Sequence, residues 1–285
     1  SANFSAVEQY FKVATPLPLF VILFIGFGMK AGLFPMHIWL PEAHPAAPSH
    51  VSAIMSGVMI KTGVYGIMRL MQAVDHNTEL LYDIGLIVLL SGIVTGLWGV
   101  ILAAMQNDVK RLLAYSSIEN IGVILIGLGI AAVGHAAGSN LIGMCGLCGA
   151  LLHTVNHSLF KSMLFFSAGN IYSMMHTTTM NQMGGLAKHM PVTAILMLFA
   201  TIAICALPPL NGFVSVTLLF KSSSNCLVIE KSPLMSKNNV KTPCCNAEDN
   251  LTINGLTLNV TASLRLPVFH SSYSIVFVNI INIVI

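Results

Sequence analysis

The chain has 285 residues, of which 55% are hydrophobic and only 8% are charged, and its mean hydropathy is +0.80. A soluble domain carries about 25% charged residues, so this composition excludes an ordinary globular surface and predicts an integral membrane protein. The formal net charge of +3 is too small and too dispersed to indicate a nucleic-acid partner.

Six windows are long and apolar enough to cross a bilayer, which takes about 20 mostly apolar residues. In chain order they are 15–40, 50–72, 82–105, 112–134, 141–174 and 191–219. We therefore predict an all-α polytopic membrane helix bundle over residues 1–220. Residues 221–285 lack this pattern and are predicted to be an atypical polar tail, either disordered or not native to the protein. The N-terminus shows no signal-peptide pattern, so we expect a fragment or a processed chain.

The first and last windows contain helix breakers. Pro35 lies in the first window, and Pro208-Pro209 followed by Asn211-Gly212 lies in the last. Proline removes a backbone donor, and at membrane depth such a break requires protein or a water-filled cavity to satisfy the freed groups. A pair of broken helices indicates an ion pathway; ordinary kinks are the alternative.

Loop charges suggest an orientation. With alternating spans, one side of the membrane collects Lys110, Arg111 and Lys188. Positive residues favour the cytoplasm, so we expect the loops on this side to be cytoplasmic. These loops are Trp39–His50, Gln106–Arg111 and His176–Met190.

Four ionisable residues fall within the predicted spans: Lys30, Lys61, Glu119 and Lys161. Each charge at a helix centre costs about 2.5–3.5 kcal/mol on insertion scales, so such groups normally face the bundle interior, pair with one another and mark a charge pathway. Lys30 lies close to the first break, where snorkelling to the interface is an alternative. Burial lowers the pKa of a lysine, which lets it release a proton where arginine cannot.

Histidines extend this pattern in the fifth window. His153, His157 and Lys161 are spaced i, i+4, i+8 and therefore share one helix face. An imidazole can donate at one nitrogen and accept at the other, so the stripe predicts a proton relay. Polar residues that only hold helices together are the structural alternative.

Metal binding is not predicted. The histidines of "HTVNH" lack the glutamate of an HExxH motif, and the pair Cys145 and Cys148 is too few for a closed zinc site. We interpret the cysteines as small residues for close helix packing. No nucleophile, cofactor motif or catalytic residue is evident.

A second polar group surrounds the first break. His37, Glu42, His44 and His50 lie within fourteen residues of one another. We interpret the first three as candidates for proton uptake or coupling at the aqueous side, with an interfacial loop as the alternative.

Four motifs carry a family resemblance: residues 30–69, "QNDVKRLLAYSSIENIG", "LLHTVNHSLFKSMLFFSAGNI" and "LPPLNGFVS". In this order they resemble the proton-conducting antiporter-like family, which includes membrane subunits of respiratory complex I, multi-subunit Na+/H+ antiporters and energy-converting NiFe-hydrogenases. The pair Glu119-Asn120 looks most like the hydrogenase-4 component B and formate hydrogenlyase branch, because other members more often carry Ser-His there.

The resemblance implies an inverted-repeat fold with a broken helix in each repeat. By motif match it implies a proton pathway through Lys30, Lys61, Glu119, His153, His157 and Lys161. It also implies a bacterial inner membrane location and partner subunits that hold the NiFe and Fe-S centres, in a complex that oxidises formate and evolves hydrogen. This chain would then bind no cofactor itself.

The chain departs from the family pattern in two places. The helices of the first repeat, with the glutamate that pairs with Lys30, are missing. After "NGFVS" relatives continue with Glu-Trp, whereas this chain has Val216 and Thr217. Two alternatives therefore stay open: a subunit of complex I or of a Na+/H+ antiporter, and an anchor that conducts nothing.

Overall fold

The structure, a computed structural model, describes residues 16–208 and 210–230. Regular secondary structure in these residues is helical, as predicted, apart from an isolated bridge between Asp108 and Thr179. The helices are α1 (Pro16–Ala31), α2 (Trp39–Ala46), α3 (Ser49–Val74), α4 (Thr78–Ala104), α5 (Val109–Ala136), α6 (Asn140–Met175), α7 (Leu186–His189), α8 (Pro191–Ile204) and α9 (Asn211–Glu230). The predicted tail lies outside the described residues from residue 231 onward.

Three helices of the described part, α3, α4 and α5, are both long and apolar enough to cross a membrane. Two more, Leu17–Ala31 and Pro191–Ile204, are apolar but shorter. The longest helix, α6, has 36 residues. The division of the chain into six spans and a tail stays a prediction, and the expected boundary at residue 220 lies within α9.

Both predicted helix breaks are present. The chain leaves α1 through Gly32, whose φ of +82° is accessible to glycine without a Cβ penalty. It becomes helical again at Trp39, so the expected loop 39–50 is instead mostly α2 and the start of α3. The second break separates α8 from α9, where the Asn211 side chain accepts a hydrogen bond from the backbone N–H of Gly212 at 3.0 Å.

Helix α5 is the centre of the bundle. Of the most apolar 18-residue window of α5, 89% is buried inside the described structure, whereas the corresponding share for α4 is 39%. Close contact with α4 relies on glycines: a Cβ added to Gly122 would lie 2.5 Å from the backbone nitrogen of Gly96 and 2.7 Å from the carbonyl oxygen of Gly92. Small residues in such positions let helix backbones approach closely within a membrane.

The three loop regions expected on one side meet at the N-terminal end of α5. The backbone N–H of Val109 donates to the carbonyl of Thr178 at 3.0 Å, and Arg111 pairs with Glu42 at 3.0 Å. The loop before α5, the loop after α6 and helix α2 therefore share one end of the bundle, which we call the loop side.

Candidate functional site

A connected set of polar side chains crosses the apolar interior where α3, α5, α6 and α9 meet. All five of its titratable groups come from the predicted proton pathway, and serines and asparagines of the same helices join them. Its members are Ser56, Lys61, Ser116, Ser117, Glu119, Asn120, His153, Asn156, His157, Lys161 and Ser215. We call this set the polar network.

Lys61 lies where α3 changes its helical register. A π-helical turn at Met55–Met59 precedes Lys61, and such single π turns are often found at functional sites. The Lys61 ammonium donates to the carbonyl of Ser56 within this turn, and its Nζ lies 2.5 Å from Nδ1 of His157 on α6. Lys61 therefore connects α3 to α6.

Lys161 is fully buried between α6 and α5. Its Nζ donates to the carbonyl of Leu113 at 2.9 Å and to the hydroxyl of Ser116. Glu119, on the same helix as these acceptors, is also fully buried and acts electrostatically on Lys161. A buried lysine therefore has both neutral acceptors and an opposite charge within its surroundings.

His153 connects α5 to the second broken helix. Its Nε2 lies 3.0 Å from Oδ1 of Asn120, and its Nδ1 lies 3.1 Å from the hydroxyl of Ser215 on α9. Because Asn120 donates through Nδ2 to the carbonyl of Ser116, its Oδ1 is the acceptor for the histidine. This arrangement selects the His153 tautomer with its proton on Nε2.

His157 occupies the middle of the stripe on α6. Its Nδ1 faces Lys61, whereas Nε2 is buried with no hydrogen-bond partner among the described residues. Buried imidazole nitrogens are normally hydrogen-bonded, to protein or to ordered water. Nε2 of His157 is therefore the atom of the stripe at which a further hydrogen-bond partner is expected.

Sequence reasoning missed the serines of the network. Ser56 on α3 and Ser117 on α5 bring their hydroxyl oxygens within 2.9 Å of each other, and Ser215 reaches His153 from α9. Their signal was present, since each is a polar residue inside an apolar run, but a serine alone is common in membrane helices. Only the titratable residues were distinctive enough to select.

The remaining predicted residues lie outside the network. Lys30, at the C-terminal end of α1, is exposed on this chain, and Glu42 is exposed in its pair with Arg111. His37 and His44 are buried, and the His44 ring stacks on Phe165 with ring centroids 4.6 Å apart. The structure therefore brings together Lys61, Glu119, His153, His157 and Lys161, with His44 nearby, and leaves Lys30 apart.

No group of three or more His, Cys, Asp or Glu side chains in residues 16–208 and 210–223 has the geometry to hold a metal ion. Cys145 and Cys148 are free thiols on α6.

The sequence matches the family described as NADH:quinone oxidoreductase/Mrp antiporter, transmembrane, over residues 2–232. It is 50% identical to hydrogenase-4 component B of Escherichia coli over 197 residues, which cover 69% of this chain and 29% of the relative. It is 41% identical to formate hydrogenlyase subunit 3 of the same organism over 198 residues, which cover 70% of this chain and 32% of the relative. The chain thus spans about a third of the length of these curated relatives.

The fold is similar to that of a chain in the Mrp complex from Dietzia sp. DQ12-45-1b. The TM-score is 0.71 and the match covers 96% of this chain and 42% of that one, at 21% sequence identity. The prediction of an all-α membrane bundle with broken helices and an antiporter-like fold is confirmed.

Proposed function

The chain belongs to the NADH:quinone oxidoreductase/Mrp antiporter transmembrane family, and on this premise we propose that it is the proton-conducting part of a membrane subunit in an energy-converting NiFe-hydrogenase of the formate hydrogenlyase type. It is a multi-pass membrane protein, and its relatives are components of larger complexes. The higher identity to the two hydrogenase-related proteins supports this choice within the family.

The contact between Lys61 and His157 carries the proposal. An ammonium 2.5 Å from an imidazole nitrogen can hand its proton across one hydrogen bond. His157 lies one helical turn from both His153 and Lys161 on the same face of α6, so both are neighbours to which the proton on its ring can be passed, directly or through water. The stripe thereby supplies successive sites for one proton.

Glu119 and Lys161 supply the charge that moves the proton. An ionised Glu119 attracts the charge of Lys161, and this attraction is lost when Glu119 is protonated. The positive charges of Lys61 and Lys161 repel each other, so charging one discourages charging the other. A change at either end of the network is thus passed along as a change in proton occupancy.

The wider assignment follows from the resemblance. We propose that partner subunits hold the NiFe and Fe-S centres, that the complex lies in the bacterial inner membrane, and that Lys30 takes part once the preceding helices of the family are packed against α1. We also propose that His37, Glu42 and His44 take up protons at the aqueous side or couple the pathway to it. This chain supplies no redox centre in the proposal.

A second candidate is a subunit of a quinone oxidoreductase or of a Na+/H+ antiporter, which the family description favours. A third is a membrane anchor that conducts nothing. Transport that depends on sodium would identify the antiporter, and a complex that turns over without moving protons would identify the anchor.

The test uses the complex that contains this chain, purified and reconstituted in liposomes. Hydrogen evolution and the pH gradient are recorded together for the wild type, Lys61→Ala and Lys161→Ala. A matched control is Lys188→Ala, because Lys188 is exposed in α7, away from the network.

We expect both network variants to evolve hydrogen while the pH gradient falls by roughly ten-fold or more, and the control to behave as the wild type. An unchanged gradient in both network variants would refute proton conduction through these lysines. Omission of sodium from both sides separates the antiporter alternative, since the proposed pathway works without it.

A further inference from the structure

A second buried polar group lies between the polar network and the loop side. His44 of α2 is fully buried, and neither of its ring nitrogens has a hydrogen-bond partner among the described residues. Leaving a buried polar group unsatisfied is costly, so a buried imidazole of this kind is expected to bind water. The ring is held by stacking on Phe165 at 16° between the planes.

Phe165 and Tyr172 continue the stripe that contains Lys161. They lie at i+4 and i+11 from Lys161, which places all three on the same face of α6. His44 packs on the first aromatic ring, and the ammonium of Lys110 lies 5.5 Å from the centroid of the second. At a rise of about 1.5 Å per residue, Tyr172 is ~16 Å from Lys161 towards the loop side.

Lys110 completes this line although it is outside the predicted relay. It is only 5% exposed, and its Nζ donates to the carbonyl of Ala47, at the end of α2, at 3.0 Å. Lys110 therefore attaches to the same short helix that carries His44. The antiparallel course of α5 and α6 puts Lys110 beside Tyr172 and puts Ser116 beside Lys161.

The charges around His44 are those of the three lysines on the neighbouring helices. Lys161 on α6, Lys110 on α5 and Lys61 on α3 all act electrostatically on its ring. The carboxylate of Glu42 on α2 is exposed and paired with Arg111. His44 is thus acted on by the charges of three lysines, whereas the acid on its own helix, Glu42, is exposed.

We propose that Lys110 and His44 form an uptake branch that delivers protons from the loop side to Lys161. This inference rests on the proposed function, and it adds Lys110 as a proton carrier and Phe165 as the positioning residue for His44. Protons pass from Lys110 to His44 and then to Lys161 through water at the two ring nitrogens of His44, and no bond other than N–H and O–H is formed or broken.

The experiment measures passive proton uptake by liposomes that contain the reconstituted complex, driven by a potassium diffusion potential. The variants are His44→Gln, Lys110→Gln and Lys110→Arg. Arginine keeps the charge and the donor to Ala47 but does not release its proton. The controls are His189→Gln and Lys188→Gln, which remove the same residue types from exposed positions on α7.

We expect the three branch variants to lower the uptake rate by roughly ten-fold or more, while the two controls leave it unchanged. Wild-type uptake in Lys110→Arg would overturn the carrier role of Lys110, because only its charge would then be needed. Wild-type uptake in His44→Gln would overturn the branch. Should His44→Gln fail to assemble, Lys110→Arg decides, since it preserves the contacts of the native side chain.

Lys161→Arg is measured in the same series to separate this inference from the proposed function. If Lys161→Arg stops uptake and the branch variants do not, protons reach Lys161 by another route and the proposed function stands. If Lys161→Arg leaves uptake unchanged, both fail.

Discussion

Lys61 on α3 and His157 on α6 are 96 residues apart in the chain, yet Nζ of the lysine lies 2.5 Å from Nδ1 of the histidine. The π-helical turn before Lys61 contributes the Ser56 carbonyl to the same ammonium. The lysine therefore has one acceptor that stays in place and one that can take its proton. This pair joins two helices that each carry part of the predicted relay.

Lys61 and His157 are expected to act as one step. Lys61→Met and His157→Gln should each lower proton flux by roughly ten-fold or more, and the double variant should be no slower than the slower single variant. Residues that share one interaction are non-additive, and a double-mutant cycle measures this coupling. Additive losses of flux would show that the two residues serve separate routes.

Removal of the Lys161 charge should destabilise the protein through Glu119. Lys161→Met leaves the buried Glu119 carboxylate without the charge of Lys161. Breaking a buried ion pair in direct contact costs about 3–5 kcal/mol, which sets the upper limit of the expected loss. Lys161→Met combined with Glu119→Gln should recover most of the stability but not the proton flux. Thermal unfolding of the detergent-solubilised complex measures the first effect, with Lys188→Met as the control; equal melting of the single and double variants would contradict the prediction.

Ser215 is expected to tune His153 without being essential. Ser215→Ala leaves Nδ1 of His153 without its hydroxyl partner while the Asn120 contact remains. The loss of a buried partner costs about 1–3 kcal/mol, and about 1.36 kcal/mol corresponds to ten-fold, so we expect proton flux to fall by roughly five-fold or more. The ¹⁵N chemical shifts of His153 report the tautomer.

The matched control for this prediction is Ser223→Ala. Ser223 lies on the same helix and donates only to the carbonyl of Phe220, at 2.9 Å. It should leave both the His153 shifts and the flux unchanged. A similar loss in both serine variants would mean that α9 is merely destabilised.

Close packing of α4 on α5 predicts a strong effect of one methyl group. In Gly122→Ala the new Cβ meets backbone atoms of Gly96 and Gly92, which cannot rotate away. Overpacking of this kind costs about 1–3 kcal/mol, so the melting temperature of the solubilised complex should fall. Gly26→Ala is the control, because its Cβ has no neighbour within 4 Å, and it should melt as the wild type or slightly higher.

Local pattern was sufficient for the all-helical fold, the two breaks and the titratable residues of the polar network, but not for the helix at Trp39–Ala46 or for buried Lys110. Hydropathy and the 3.6-residue period act over a single helix, so the stripe of His153, His157 and Lys161 could be recognised from spacing alone. The free-energy cost of a charged side chain inside a membrane indicated that Glu119 and Lys61 need partners. The partner of each group lies on another helix, outside the reach of a local pattern.

The partners were decided by how the helices cross. Because α3, α5, α6 and α9 pack side by side, three contacts form between helices: Lys61 with His157, His153 with Ser215, and Lys161 with Ser116. Glycines set how closely α4 and α5 approach each other. The same packing leaves Lys30 exposed on this chain although its sequence context resembles that of Lys61. A contact between residues far apart in sequence depends on interhelical geometry, which no local period contains. The sequence by itself therefore determined which titratable groups fall within apolar segments, and the tertiary structure decided which of them touch.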